Sequence, residues 1–132
     1  AKRVERNGAP AIEDAWVRDR LAALKARLEV MRYINLVQFT REANGAPAAR
    51  TQMMNKLYQS NYAGEVASLA VELLGDEALL SPIGNRDVGN ERWLMQYMNS
   101  LAAAIAGGTS NIQRNIIAER GLGLPRERET AA

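Results

Sequence analysis

Residues Asp14–Ala43 read DAWVRDRLAALKARLEVMRYINLVQFTREA. Within this stretch Val17, Leu21, Leu24, Leu28 and Met31 recur at spacings of 4, 3, 4 and 3. That is the period of one helical face and not the alternation of a strand. Ile34 and Val37 extend the pattern until Asn44-Gly45-Ala46-Pro47 breaks it. Glu13 and Asp14 stand where negative charge favours a helix start. The stretch predicts one long helix over 14–43.

Working outward, the same period returns three times. Met54, Leu57, Tyr58, Tyr62, Val66, Leu69 and Leu73 predict a second helix after Pro47. Beside that stripe Ala63, Gly64, Ala67 and Ala70 are small enough for a neighbouring helix to come close, and Gly75 is placed to end the helix. Asp76–Asn90, with Pro82, Gly84 and Gly89, reads as a long loop. Leu94, Met98, Leu101 and Ile105 predict a third helix over 91–104, broken by Gly107-Gly108. A fourth starts at Thr109 or Ser110, where Ser110 and Gln113 have the spacing of a capping box, and ends at Gly121-Leu122-Gly123-Leu124-Pro125. Ala1–Ala11 reads as a polar connector and 126–132 as a charged tail. No stretch has a strand's period. The expectation is an all-α antiparallel helical bundle whose first two helices form a long hairpin.

Composition narrows the chemistry. Across 132 residues hydrophobic residues make up 47%, charged residues 24% and aromatics 5%, with no histidine and no cysteine. That excludes Ser-His-Asp and Cys-His catalysis, ordinary zinc and haem sites and disulfides. A carboxylate, a lysine, a tyrosine or a cofactor must move any proton at neutral pH. The net charge is only +2, and Glu13, Asp14, Arg18, Asp19, Arg20, Lys25, Arg27 and Glu29 alternate in sign. Such faces are solvated, so no nucleic acid is expected. No apolar run reaches the ~20 residues of a membrane span and no signal segment is seen, so a cytoplasmic protein is expected. The chain opens on Ala1 and not on Met, which reads as a processed chain or part of a larger one.

The methionines and Trp16, Trp93, Tyr58 and Tyr62 read as packing residues. One segment offers more. Two glycines at 107 and 108 let backbone approach a ligand, and Thr109-Ser110-Asn111 then opens a helix whose free N–H groups can seat a phosphate or a flavin carbonyl; the alternative is a plain helix–turn–helix with a Gly-Gly bend and a capped start, in a non-enzymatic helical interaction module.

Residues 104–126, AIAGGTSNIQRNIIAERGLGLPR, resemble the C-terminal signature of the acyl-CoA dehydrogenases. Arg92-Trp93-Leu94 through Asn99-Ser100 is similar to the helix leading into it, and Val17-Arg18-Asp19-Arg20-Leu21 to the long helix of that domain in bacterial members. The resemblance covers only the family's C-terminal helical bundle and lacks most of that bundle's first helix, of which Ala1–Arg6 would be the last turn.

The resemblance implies an FAD flavoprotein of fatty acid metabolism, an oxidoreductase. It would act on an acyl-CoA thioester, with a carboxylate taking the α-proton and the flavin the β-hydride. It also implies other domains of a parent chain, an electron-transfer partner, and a homo- or hetero-oligomer packed as a dimer of dimers. Thr109 matches the family's FAD-contacting threonine, Asn111 a further cofactor position, and Gly108 the glycine whose backbone lies by the substrate. Gly107 falls where many members carry the glutamate base; members with glycine there place the base on the bundle's first helix, and some bacterial mixed oligomers contain a subunit without one. Arg3, in Arg3-Val4-Glu5-Arg6-Asn7-Gly8, falls at an Arg-x-x-Phe-Gly segment reaching a neighbouring subunit's FAD, without its phenylalanine. Glu72 and Gly75 fall at a Gln-x-x-Gly-Gly segment by the adenosine, where Glu72 brings an unfavourable negative charge.

Overall fold

The computed structural model describes residues 1–46, 52–78 and 91–126. The start of the second helix after Pro47, most of the loop read at 76–90 and the tail beyond Arg126 lie outside the described residues.

The long stretch at the head of the sequence forms α1, Ala15–Ala43. Asp14 caps it: its Oδ1 accepts from the Trp16 and Val17 N–H groups at 2.9 and 3.3 Å. The segment before α1 corrects the reading of Ala1–Arg6 as a last helical turn. Two short antiparallel strands, β1 (Glu5–Arg6) and β2 (Ala9–Pro10), pair through Arg6 and Ala9. Asn7 and Gly8 turn between them with φ of 56° and 77°. Two positive φ values in succession suit Asn-Gly and force a hairpin instead of a helix. A 3₁₀ turn, Ala11–Glu13, joins the hairpin to α1. Ala11 is fully buried and its N–H donates to the Val4 carbonyl at 2.7 Å. Arg6 pairs with Asp14 at 3.1 Å and, with Arg20, lies over the Trp16 ring.

Helix α2, Gln52–Leu74, is the centre of the bundle. It runs antiparallel to α1, because contacts descend α2 as they climb α1: Arg27 pairs with Glu65, and Asn35 with Asn55. Gly75 ends α2 at φ +56°, as its position predicts, and opens a 3₁₀ turn, Gly75–Ala78. Helix α3, Glu91–Ile105, runs back antiparallel to α2, with Trp93 near Leu69 and Leu73 and Ser100 beside Gly64. Helix α4, Ser110–Ile116, continues into a π-helical turn, Ile117–Gly121, that rests on α2 through Met53 and Gly121.

Among the described residues the buried apolar side chains are Ala11, Val17, Leu24, Ala67, Leu69 and Ala78. The small strip of α2 is used as expected at Gly64, where a Cβ would stand 3.6 Å from the Ser100 hydroxyl, and at Ala67; Ala63 is exposed. The apolar stripe of α3 departs from expectation. Met98, Leu101 and Ile105, with Met95, are 50–69% exposed, while Ser100 is 6% exposed and faces α2. Where α3 comes closest to α2 it presents Ser100 to Gly64, with Trp93 and Tyr97 on the same side, and Met95, Met98, Leu101 and Ile105 point out. Met54, Met95 and Met98 are accordingly surface residues and not core. Among the described residues no helix is long and apolar enough to cross a membrane.

Candidate functional site

The turn between α3 and α4 brings the signature residues to one place. The last N–H of the α3 ladder is Ala106, donating to Ala102 at 2.9 Å. Gly107 and Gly108 then take φ of +67° and +99°, which reverses the chain without a Cβ. At Gly107 a Cβ would meet nothing within 4 Å, so this side of the turn is open.

Thr109 closes the turn as the N-cap of α4, its hydroxyl accepting from the Ile112 N–H at 3.4 Å. This corrects the capping box read at Ser110. Gln113 reaches past Ser110 and donates from Nε2 to the Gly107 carbonyl at 2.8 Å. The Thr109 hydroxyl accepts one bond and keeps its own proton for a further acceptor. Asn111 stands on the first turn of α4, its Oδ1 accepting from Arg114 Nη1 at 3.1 Å. Thr109, Ser110 and Asn111 open α4, whose helical run continues through the π-helical turn to Gly121. The site rests on the turn and on the threonine.

One residue of this site was missed. Lys56, on α2, is half-buried and donates from Nζ to the Gly108 carbonyl at 2.6 Å, across 52 positions of chain. A single lysine inside a helical pattern carries no sequence signal for so distant a partner.

The other family-matched residues lie elsewhere. Arg3 lines an open recess of about 420 Å³ with Val4, Glu5, Leu73, Leu74 and Glu77, next to Gly75 and the exposed Glu72. Glu72 is 16 residues from Lys56 along α2, or about 24 Å at the helical rise. The structure therefore separates Arg3, Glu72 and Gly75 from Thr109, Asn111, Gly107 and Gly108. A second recess, about 210 Å³ and mainly apolar, is walled by Leu21, Leu24, Val66, Leu69 and Trp93. Between α1 and α2 the Arg27 guanidinium holds its proton above its ordinary range, first through its hydrogen bond to Glu65 and then through that carboxylate's charge.

Comparison with known proteins gives this arrangement a family. Residues 1–122 match the model of the acyl-CoA dehydrogenase C-terminal domain. The chain is 35% identical over 117 residues to the acyl-CoA dehydrogenase IpdE1 of Mycobacterium tuberculosis, covering 89% of this chain and 29% of that protein. It is 29% identical over 122 residues to the acyl-CoA dehydrogenase FadE26 of the same organism, covering 90% and 30%. Among solved structures, the ChsE4–ChsE5 complex of M. tuberculosis superposes with a TM-score of 0.74 at 28% identity, covering 94% of this chain and 32% of that one. The Tcur3481–Tcur3483 steroid acyl-CoA dehydrogenase superposes with a TM-score of 0.73 at 25% identity, covering 89% and 30%. The chain spans under a third of the length of these relatives. The chain, a mainly helical bundle, belongs to the acyl-CoA dehydrogenase family, to the C-terminal domain of its members.

Proposed function

We propose that this chain is the C-terminal bundle of an FAD-dependent acyl-CoA dehydrogenase and that its Gly107–Thr109 turn walls the flavin and thioester site. The observation that carries the reading is the turn itself, with an open flank at Gly107 and a Thr109 hydroxyl that has a proton to give. Those features fit a flat group bearing carbonyl acceptors. Thr109 would donate to the flavin, Asn111 would stand beside it, and the Gly108 backbone would lie by the substrate. Arg3 would reach the FAD of a neighbouring subunit, and Glu72 and Gly75 would lie by the adenosine part, where Glu72 brings an unfavourable negative charge.

When bound, FAD supplies the hydride acceptor for α,β-dehydrogenation of an acyl-CoA, with the α-proton passing to a carboxylate. This chain holds the turn that orients the thioester, and Gly107 has no side chain with which to serve as that base. The base would come from another part of the parent protein or from a partner subunit, and this chain alone would be inactive. The outward apolar face of α3 (Met95, Met98, Leu101 and Ile105) makes contacts with other domains or subunits.

A second reading has its own support. Gly107 removes the common base position, and the ChsE4–ChsE5 neighbour is a complex of two different subunits. On that reading the parent is the base-less subunit of a mixed oligomer.

The test uses the full-length protein, purified alone and co-expressed with other acyl-CoA dehydrogenase subunits of its source organism. Acyl-CoA-dependent reduction of bound flavin, with an α,β-unsaturated thioester as product, is expected. Activity of the protein alone supports the first reading, and activity only in the mixed oligomer supports the second. No flavin and no reduction in either preparation overturns both.

A further inference from the structure

The turn between α3 and α4 is held at both of its carbonyl oxygens. Gln113 Nε2 donates to the Gly107 carbonyl at 2.8 Å and Lys56 Nζ donates to the Gly108 carbonyl at 2.6 Å. In a trans peptide the N–H points opposite to the C=O of the same unit. The peptide gripped by Gln113 therefore carries the Gly108 N–H on its far side, and the peptide gripped by Lys56 carries the Thr109 N–H. Among the described residues neither N–H donates to another protein group.

The grip of Lys56 is more than packing needs. A half-buried ammonium loses hydration, which an apolar side chain of similar length would not. The turn is also locally complete without α2, since two glycines supply the positive φ values and Thr109 caps α4. What the ammonium adds is charge on one oxygen. A charge-assisted bond is shorter and stronger than a neutral one, and it polarises the peptide so that the N–H at the other end becomes a better donor.

We propose that Lys56 is a positioning residue for the flavin and thioester site: its ammonium fixes the Gly108–Thr109 peptide plane and strengthens the Thr109 N–H as a donor to a bound carbonyl oxygen. This rests on the reading that the turn walls that site. Gln113 plays the neutral counterpart on the adjoining peptide. The two peptides are thus oriented from behind by α2 and α4, so their donors hold direction when a ligand arrives.

The experiment is FAD titration of flavin-stripped full-length protein carrying Lys56→Met, Lys56→Arg or Gly108→Ala, with amide hydrogen exchange at Thr109 and thermal unfolding of each. Lys56→Met is expected to weaken FAD binding about threefold, since no bond to FAD is removed and only the strength and direction of the Thr109 N–H donor change, and to slow exchange at Thr109 in the flavin-free protein, where that N–H loses its polarisation. Lys56→Arg, which keeps a cationic donor, is expected to restore most of the affinity. Gly108→Ala is expected to weaken binding as well, because it disturbs the same peptide. FAD affinity unchanged in Lys56→Met but weakened in Gly108→Ala overturns the role of Lys56 and leaves the reading of the turn standing. Affinity unchanged in both overturns that reading too. Weakened binding in Lys56→Met that Lys56→Arg does not restore, or that follows the melting temperature down, shows a merely structural lysine and also overturns the proposal.

Discussion

Gly107 and Gly108 are both left-handed, at φ +67° and +99°, yet they differ in what a side chain would meet. At Gly107 there is open space, so Gly107→Ala carries only the backbone penalty, about 1 kcal/mol. At Gly108 a Cβ would stand 3.0 Å from Gln113 Nε2 and 3.5 Å from Ile112, so the alanine also displaces the Gln113 amide from its carbonyl. Gly108→Ala is expected to lower the melting temperature of the full-length protein more than Gly107→Ala does; equal shifts would show that the Gln113 contact is not made. Asp14 offers a second residue-scale test. It caps α1 and pairs with Arg6, so Asp14→Ala is expected to cost about 1–2 kcal/mol. Asp14→Asn keeps the cap and should recover most of that in the same urea titration.

At the scale of elements, α2 carries the structure, and its buried centre is Leu69, 2% exposed. Leu69→Ala is expected to destabilise by about 2–5 kcal/mol, read by urea unfolding. The exposed Arg27–Glu65 pair joins α1 to α2 and should add no pH dependence near neutrality. A guanidinium whose folded value is raised contributes stability at every pH below its ordinary range and loses it only as pH climbs through the raised value. Helix positions were legible from the sequence because the periodic stripes, the Asn-Gly and Gly-Gly breaks and Gly75 each act locally. The orientation of α3 was not. Its stripe of Leu94, Met98, Leu101 and Ile105 marks an apolar face without saying what covers it, and the close approach at Gly64 and Ser100 brings the Ser100 face inward instead. The hairpin at Asn7-Gly8 was missed because strands of two residues have no period to read. In the site, Thr109 and the glycines were legible as a contiguous motif, whereas Lys56 joins them only through the fold.

At the scale of the whole molecule, a broad apolar surface describes a domain built to be covered. Leu36, Val37 and Phe39 on α1 and the outer face of α3 are about half or more exposed. Met95→Glu with Ile105→Glu is expected to reduce the oligomeric mass of the full-length protein by light scattering while leaving its helical circular dichroism intact. Unchanged mass would place subunit contacts on another face. The central claim is that the Gly107–Thr109 turn walls a flavin, and the most direct measurement is the flavin content of the full-length protein with Thr109→Val and Thr109→Ser. Valine removes both the α4 cap and the hydroxyl donor, and serine keeps both. FAD is expected to be bound stoichiometrically by the parent, largely lost from Thr109→Val and retained by Thr109→Ser. Full flavin content in all three, with an unchanged visible spectrum, would contradict that claim.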